Sequence, residues 1–151
     1  KVDKITNKEY FVRGSTALLD AVGGAIKHII NIHKYAREED RPDKTIFVIT
    51  TDGMENASIN YNYKQVKKMI EKEQKEYGWE FIFIGANIDA CAEAERFGIR
   101  KERAVNYIHD DIGTKLIYEG VSQAMCAAME ESLSNNRWKK EIVFDYLRRK
   151  K

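Results

Sequence analysis

The chain carries one proline, two cysteines and no apolar run approaching the length of a membrane helix. A helical span needs about 20 consecutive apolar residues, so that class is excluded. Cys91 and Cys126 are too few for the disulfide framework of a small secreted scaffold. Both fall on helical patterns, which favours two buried thiols over one disulfide. Neither has a partner at metal-binding spacing. Phosphate loops of the Walker and dinucleotide types are absent. The start, Lys1-Val2-Asp3-Lys4, has no apolar core of the kind a signal peptide needs, so a cytoplasmic protein is expected. Charge of one sign is also lacking. A formal net charge of +2 gives no reason to expect a nucleic-acid partner.

What is present is a folded, soluble balance, with 43% hydrophobic and 33% charged residues. A length of 151 residues implies one domain by default, large enough to bury roughly 70% of its unfolded surface. Residues 1–13 are polar around Tyr10-Phe11-Val12 and read as a lead-in segment. Ser15 or Thr16 is expected to cap a helix over about 17–38. Its apolar positions Leu18, Val22, Ile26, Ile29 and Ile30 recur at three- and four-residue steps. Gly23-Gly24 interrupts that helix at a cost of roughly 1 kcal/mol per glycine relative to alanine, which points to a close neighbour.

Thr45–Thr51 and Glu80–Ala86 are continuous apolar runs of the kind found in strands covered on both faces. Between them, Tyr63–Tyr77 is an amphipathic helix stopped by Gly78. Asp89 opens a short helix ended by Gly98, and Ala104–Ile108 reads as a third strand. Asp110 or Asp111 caps a helix to about Leu133. Asn135-Asn136 breaks it, and Trp138–Leu147 fits neither period cleanly. Helices alternating with apolar strands indicate an α/β protein with a mainly parallel sheet.

In such a sheet, ligands bind beyond the carboxyl ends of the strands. Asp52 ends the first strand in Thr51-Asp52-Gly53-Met54-Glu55-Asn56. Thr16 stands where the first helix opens, in Arg13-Gly14-Ser15-Thr16-Ala17-Leu18-Leu19-Asp20. Asn87 follows the second strand. A carboxylate, a hydroxyl and water suit a hard cation such as magnesium. Taken singly, Thr16 also reads as a helix N-cap and Asp52 as a turn aspartate. Gly53 is expected to hold a backbone conformation that a β-branched residue resists. In His109-Asp110-Asp111 the aspartates read as helix caps rather than as part of a metal cluster. His28 and His33 read as packing or surface residues.

The segments Gly14–Ala21, Thr51–Asn56 and Trp79–Asp89 together resemble the von Willebrand factor A domain in its bacterial and phage form. The resemblance implies a Rossmann-like three-layer sandwich carrying a metal-ion-dependent adhesion site. Thr16 and Asp52 would hold magnesium, weakly in this chain alone. Ser15, Gly53, Glu55, Asn56 and Asn87 would surround a partner protein whose acidic side chain completes the coordination. Such domains bind proteins and are not enzymes. The family's first metal loop, Asp-x-Ser-x-Ser, has no match, since Ser132-Leu133-Ser134 lacks the aspartate. Residues 1–136 therefore read as the C-terminal part of such a domain, lacking its first strands, followed by a basic tail over 137–151.

The strand Thr45–Thr51 would then offer an open edge, for self-association or for an N-terminal companion segment. The tail, with seven basic and two acidic residues, reads as a solvated end. Two alternatives stand beside this reading. One is a small Rossmann-like enzyme or phosphate binder using Asp52 and the helix end at Thr16. The other is a remnant with no site.

Overall fold

Alternation along the strands decides the architecture. The computed structural model describes Thr6, residues 14–130 and residues 136–150. Within these, three parallel strands form one sheet: β1 (Ile46–Thr51), β2 (Glu80–Gly85) and β3 (Ala104–Asn106), in the order β1-β2-β3. The register pairs Val48 with Ile82 and Ile84 with Val105. Successive strand residues point to opposite faces. Phe81 and Phe83 thus enter one apolar cluster, while Ile82 and Ile84 enter another. All four are essentially inaccessible to solvent.

Helices cover both clusters. α1 (Leu18–Tyr35), α2 (Tyr63–Tyr77) and α3 (Ala90–Arg96) close the first through Val22, Ile26, Val66, Ile70 and Ala94. α4 (Asp111–Met129) and α5 (Lys140–Arg149) close the second through Ile117, Ala124 and Ile142. The chain is an α/β protein, as its alternation of helical and strand patterns indicates.

Local chemistry fixes most of the boundaries. Asn62 and Gln65 form a reciprocal capping box at the start of α2. Gly78, left-handed at φ 66°, ends it. Asp89 caps α3 by accepting from Cys91 and Ala92 N–H, and Asp110 caps α4 by accepting from Gly113 N–H. α1 departs from expectation at both ends: it stops at Tyr35, and neither Ser15 nor Thr16 caps it. α4 runs to Met129 with Glu130 as its cap. The expected continuation to Leu133, the Ser132–Ser134 stretch and the Tyr10–Val12 patch lie outside the described residues.

The glycine pair in α1 divides. A Cβ on Gly23 would stand 2.7 Å from the Tyr61 ring, whereas one on Gly24 would meet nothing within 4 Å. Close approach accounts for the first glycine only. The thiols divide too: both cysteines are free, but Cys91 is half-buried and Cys126 exposed, so the expectation of two buried thiols fails. Helical spacing places Ile112, Leu116, Val121, Met125, Ala128 and Met129 along one side of α4 and reads Met125 and Met129 as core. The packed side is rotated from this: Ile117, Ala124 and Ala128 are buried, while Ile112, Met125, Met129 and Cys126 are exposed.

The basic tail is not a solvated end. Trp138 and Ile142 are buried in the second cluster. A Cβ on Gly120 would collide with the Trp138 carbonyl oxygen at 2.7 Å, so α4 needs glycine there to receive the tail. Lys139 Nζ donates to the carbonyls of Lys101 and Ala104. Arg149 joins Asp110 and Asp145. Part of the basic charge thus serves docking. Truncating Ile142 to alanine should cost about 2–4 kcal/mol by loss of burial and a residual cavity. A urea melt checks this, and a solvated tail would show almost no change.

Candidate functional site

The loop after β1 and the start of α1 are built as one unit. Glu55 accepts from Leu19 N–H at 2.7 Å, and Ser58 Oγ accepts from Asp20 N–H at 2.9 Å. These are helix caps supplied from a distant segment, filling orphan donors that the first turn of α1 cannot satisfy itself. Glu55 also accepts from Ala57 N–H, Ser58 N–H and Ser58 Oγ. Asp20 returns the contact. Its carboxylate accepts from the N–H groups of Ile59, Asn60 and Tyr61 and from the Asn60 side chain. Desolvation raises both carboxyl pKa values, but the converging hydrogen bonds outweigh it and hold both below the usual range.

This frame sets Thr16 beside the end of β1. Thr16 N–H donates to Asn56 Oδ1 at 2.8 Å, and Asn56 N–H donates to the Thr16 carbonyl at 3.0 Å. Thr51 Oγ1 donates to the Gly53 carbonyl and accepts from Gly53 N–H, closing the turn that presents Asp52. A Cβ on Gly53 would lie 3.7 Å from Thr16 Oγ1. The Thr16 hydroxyl therefore sits over the Asp52-Gly53 turn. Gly53 itself does not have positive φ, and that Cβ distance is an ordinary contact. The expected backbone demand at Gly53 is thus corrected: the Thr51 side chain shapes this turn. The left-handed residue in the neighbourhood is Asn87, at φ 58°.

Thr16, Asp52, Tyr107 and His109 line one cleft of about 360 Å³ at the carboxyl ends of β1 and β3. Asn87 adjoins it, with Nδ2 donating to the Asp52 carbonyl at 3.4 Å. The Asp52 side chain is 63% exposed and the His109 side chain 51%. The nearest approach of the two is 3.7 Å, from His109 Nδ1 to Asp52 Oδ2. Burial first, and the Asp52 charge second, push the Tyr107 phenol up. Among the described residues, no three His, Cys, Asp or Glu side chains gather as a metal cluster.

Thr16, Asp52 and Asn87 converge from three chain segments, and Ser15 is exposed next to Thr16. Glu55 and Asn56 are placed differently. Their side chains face α1 and the Thr16 backbone, where they brace the site. Sequence reasoning missed this bracing role, along with that of Asp20. Capping by an aspartate holds for Asp110, while the approach of His109 to Asp52 was not foreseen. No signal in the local pattern distinguishes these cases, since each contact spans 36 to 41 residues or joins separate strand ends.

No family model matches the chain, and neither a curated protein nor a solved structure matches it.

The capping carboxylate yields a test. Replacing Glu55 with alanine should cost on the order of 1–2 kcal/mol by removing the cap on the Leu19 N–H. With its folded pKa depressed, Glu55 contributes stability that is present above its unfolded value of about 4.3. That contribution is lost as pH falls through the folded pKa. Urea midpoints measured from pH 7 downward should drop over this window, and less steeply in Glu55→Gln. Identical slopes in the two proteins would remove Glu55 from the frame.

Proposed function

We propose that this chain is a von Willebrand factor A-like protein-interaction module. It would have a Rossmann-like three-layer arrangement and a partial metal-ion-dependent adhesion site. The observation that carries this reading is the shared cleft of Thr16 and Asp52 at the strand ends. The donor chemistry fits a hard cation: one carboxylate, one hydroxyl and room for water. When bound, such an ion supplies a positive centre for an acidic side chain of a partner protein. Thr16 and Asp52 would hold the ion, while Ser15, Gly53 and Asn87 would rim the contact. Glu55 and Asn56 would contribute by positioning Thr16. The module is not an enzyme in this reading, and it works in the cytoplasm.

The alternative, a phosphate-binding or enzymatic site at the α1 N-terminus, is weakened by occupancy of that terminus. Leu19 and Asp20 N–H groups already donate to Glu55 and Ser58. The Glu55 carboxylate also places negative charge where a phosphate would sit.

A magnesium titration followed by amide chemical shifts tests the proposal. Two protein ligands plus water should give a dissociation constant on the order of millimolar. Asp52→Ala should abolish the response. Asp52→Asn should leave stability within about 0.5 kcal/mol, as expected for an exposed side chain. Micromolar binding insensitive to Asp52→Ala would place the ion elsewhere and sink the proposal.

The edge of the sheet supplies the second contact. Among the described residues, β1 pairs only with β2. Beside it lies an apolar groove of about 270 Å³ lined by Lys44, Ile46, Val48, Met125, Ala128 and Met129, and Met129 is 82% exposed. Such an edge accepts a strand from a second copy or a companion segment. Light scattering should therefore show self-association that Val48→Glu reduces. A monomer at high concentration with strongly protected amides over residues 46–50 would overturn this part.

A further inference from the structure

We infer that His109 is a third protein ligand of the Asp52 cleft, making it a site for a divalent ion that accepts imidazole, such as zinc or cobalt(II), in preference to magnesium. This rests on the reading of Asp52 as the cation-binding carboxylate. The two side chains approach to 3.7 Å, beyond the reach of a hydrogen bond. They are near the spacing of two ligands on one ion. Bonds of about 2.0–2.2 Å at tetrahedral or octahedral angles set neighbouring donors roughly 3.0–3.5 Å apart. Closing the difference takes a few tenths of an ångström. The Asp52 and His109 side chains are 63% and 51% exposed, which leaves room for small rotamer adjustments.

The backbone around them is held. Asp52 sits on the turn closed by Thr51. His109 lies between buried Tyr107, whose ring it meets at 6.0 Å in a T-shaped contact, and Asp110, the cap of α4. Thr16 adds a hydroxyl from the same cleft. Carboxylate, imidazole and hydroxyl form a mixed donor set. Imidazole suits zinc and other late divalent ions, while magnesium prefers oxygen and water. Positions left to water face the solvent, where a partner carboxylate would bind.

Calorimetric titrations of the full chain with magnesium, zinc and cobalt(II) test this, alongside the cobalt visible spectrum. His109→Ala should lower zinc and cobalt affinity about tenfold or more, the range expected on losing a metal-supporting group. Magnesium binding should stay within about twofold. Asp52→Ala should abolish binding of all three ions. Cobalt should show d–d bands without the near-ultraviolet charge-transfer band of thiolate, which excludes Cys91 and Cys126. Because His109 is exposed, urea midpoints of the variant should match the parent. Unchanged cobalt affinity in His109→Ala, or a thiolate band, overturns the assignment of His109. If magnesium binding then still depends on Asp52, the broader reading of the site stands. If no ion responds to Asp52→Ala, both fall.

Discussion

The structure depends on a mutual clamp between two carboxylates. Asp20, in the first turn of α1, holds the loop at residues 59–61, and Glu55, in that loop, holds the first turn of α1. Each carboxylate satisfies backbone donors that belong to the other segment. The bonds to Leu19 and Tyr61 N–H are part-buried, so parting the two segments would leave donors on both without their partners. The clamp joins the end of β1 to the start of α1 and thereby sets Thr16 over the Asp52-Gly53 turn. It also brings Tyr61 against Gly23, where only a residue without Cβ fits. The cost of a glycine in the helix is offset by this contact.

Much of the framework was legible because it is written in short periods. The segments Ile46–Ile49 and Phe81–Ile84 are apolar at every position, as expected of strand segments covered on both faces. α2 announces itself through Asn62, Gln65 and Gly78, all within a few residues of its ends. Features that failed to show were long-range. The cap of α1 is Glu55, 36 residues away, so the hydroxyls of Ser15 and Thr16 looked like the caps. The tail looked solvated because its composition is basic. Composition does not reveal that Trp138 and Ile142 find a glycine-lined slot on α4. Gly53 looked conformationally special because Asp-Gly so often is, whereas here the Thr51 hydroxyl does the shaping.

Within the candidate site the same distinction was only half readable. The convergence of Thr16, Asp52 and Asn87 follows from strand direction, since residues just past parallel strands share one end of the sheet. Whether a nearby polar residue is committed elsewhere does not follow from direction. Glu55 and Asn56 stand in the same loop as Asp52 and have similar polarity, yet their side chains are engaged by backbone groups. His109 stands beyond β3 and reaches the cleft because β3 is short and α4 begins at once.

That division of labour bears on what the cleft can do. A carboxylate that already accepts four hydrogen bonds, as Glu55 and Asp20 each do, has little capacity left for a cation. Its depressed pKa records protein contacts rather than an open site. Asp52 is the opposite case. Its side chain is largely exposed, its turn is held by other groups, and the neighbouring donors are a hydroxyl and an imidazole rather than backbone N–H groups. The frame thus consumes the polar groups that stabilise and leaves exposed those that can exchange water for a ligand. On the proposed reading, a site made this way would bind an ion weakly by itself, because water would fill most of the shell, and would gain strength when a partner supplied another oxygen. Ion and partner would then bind together, each raising the affinity of the other by the same factor.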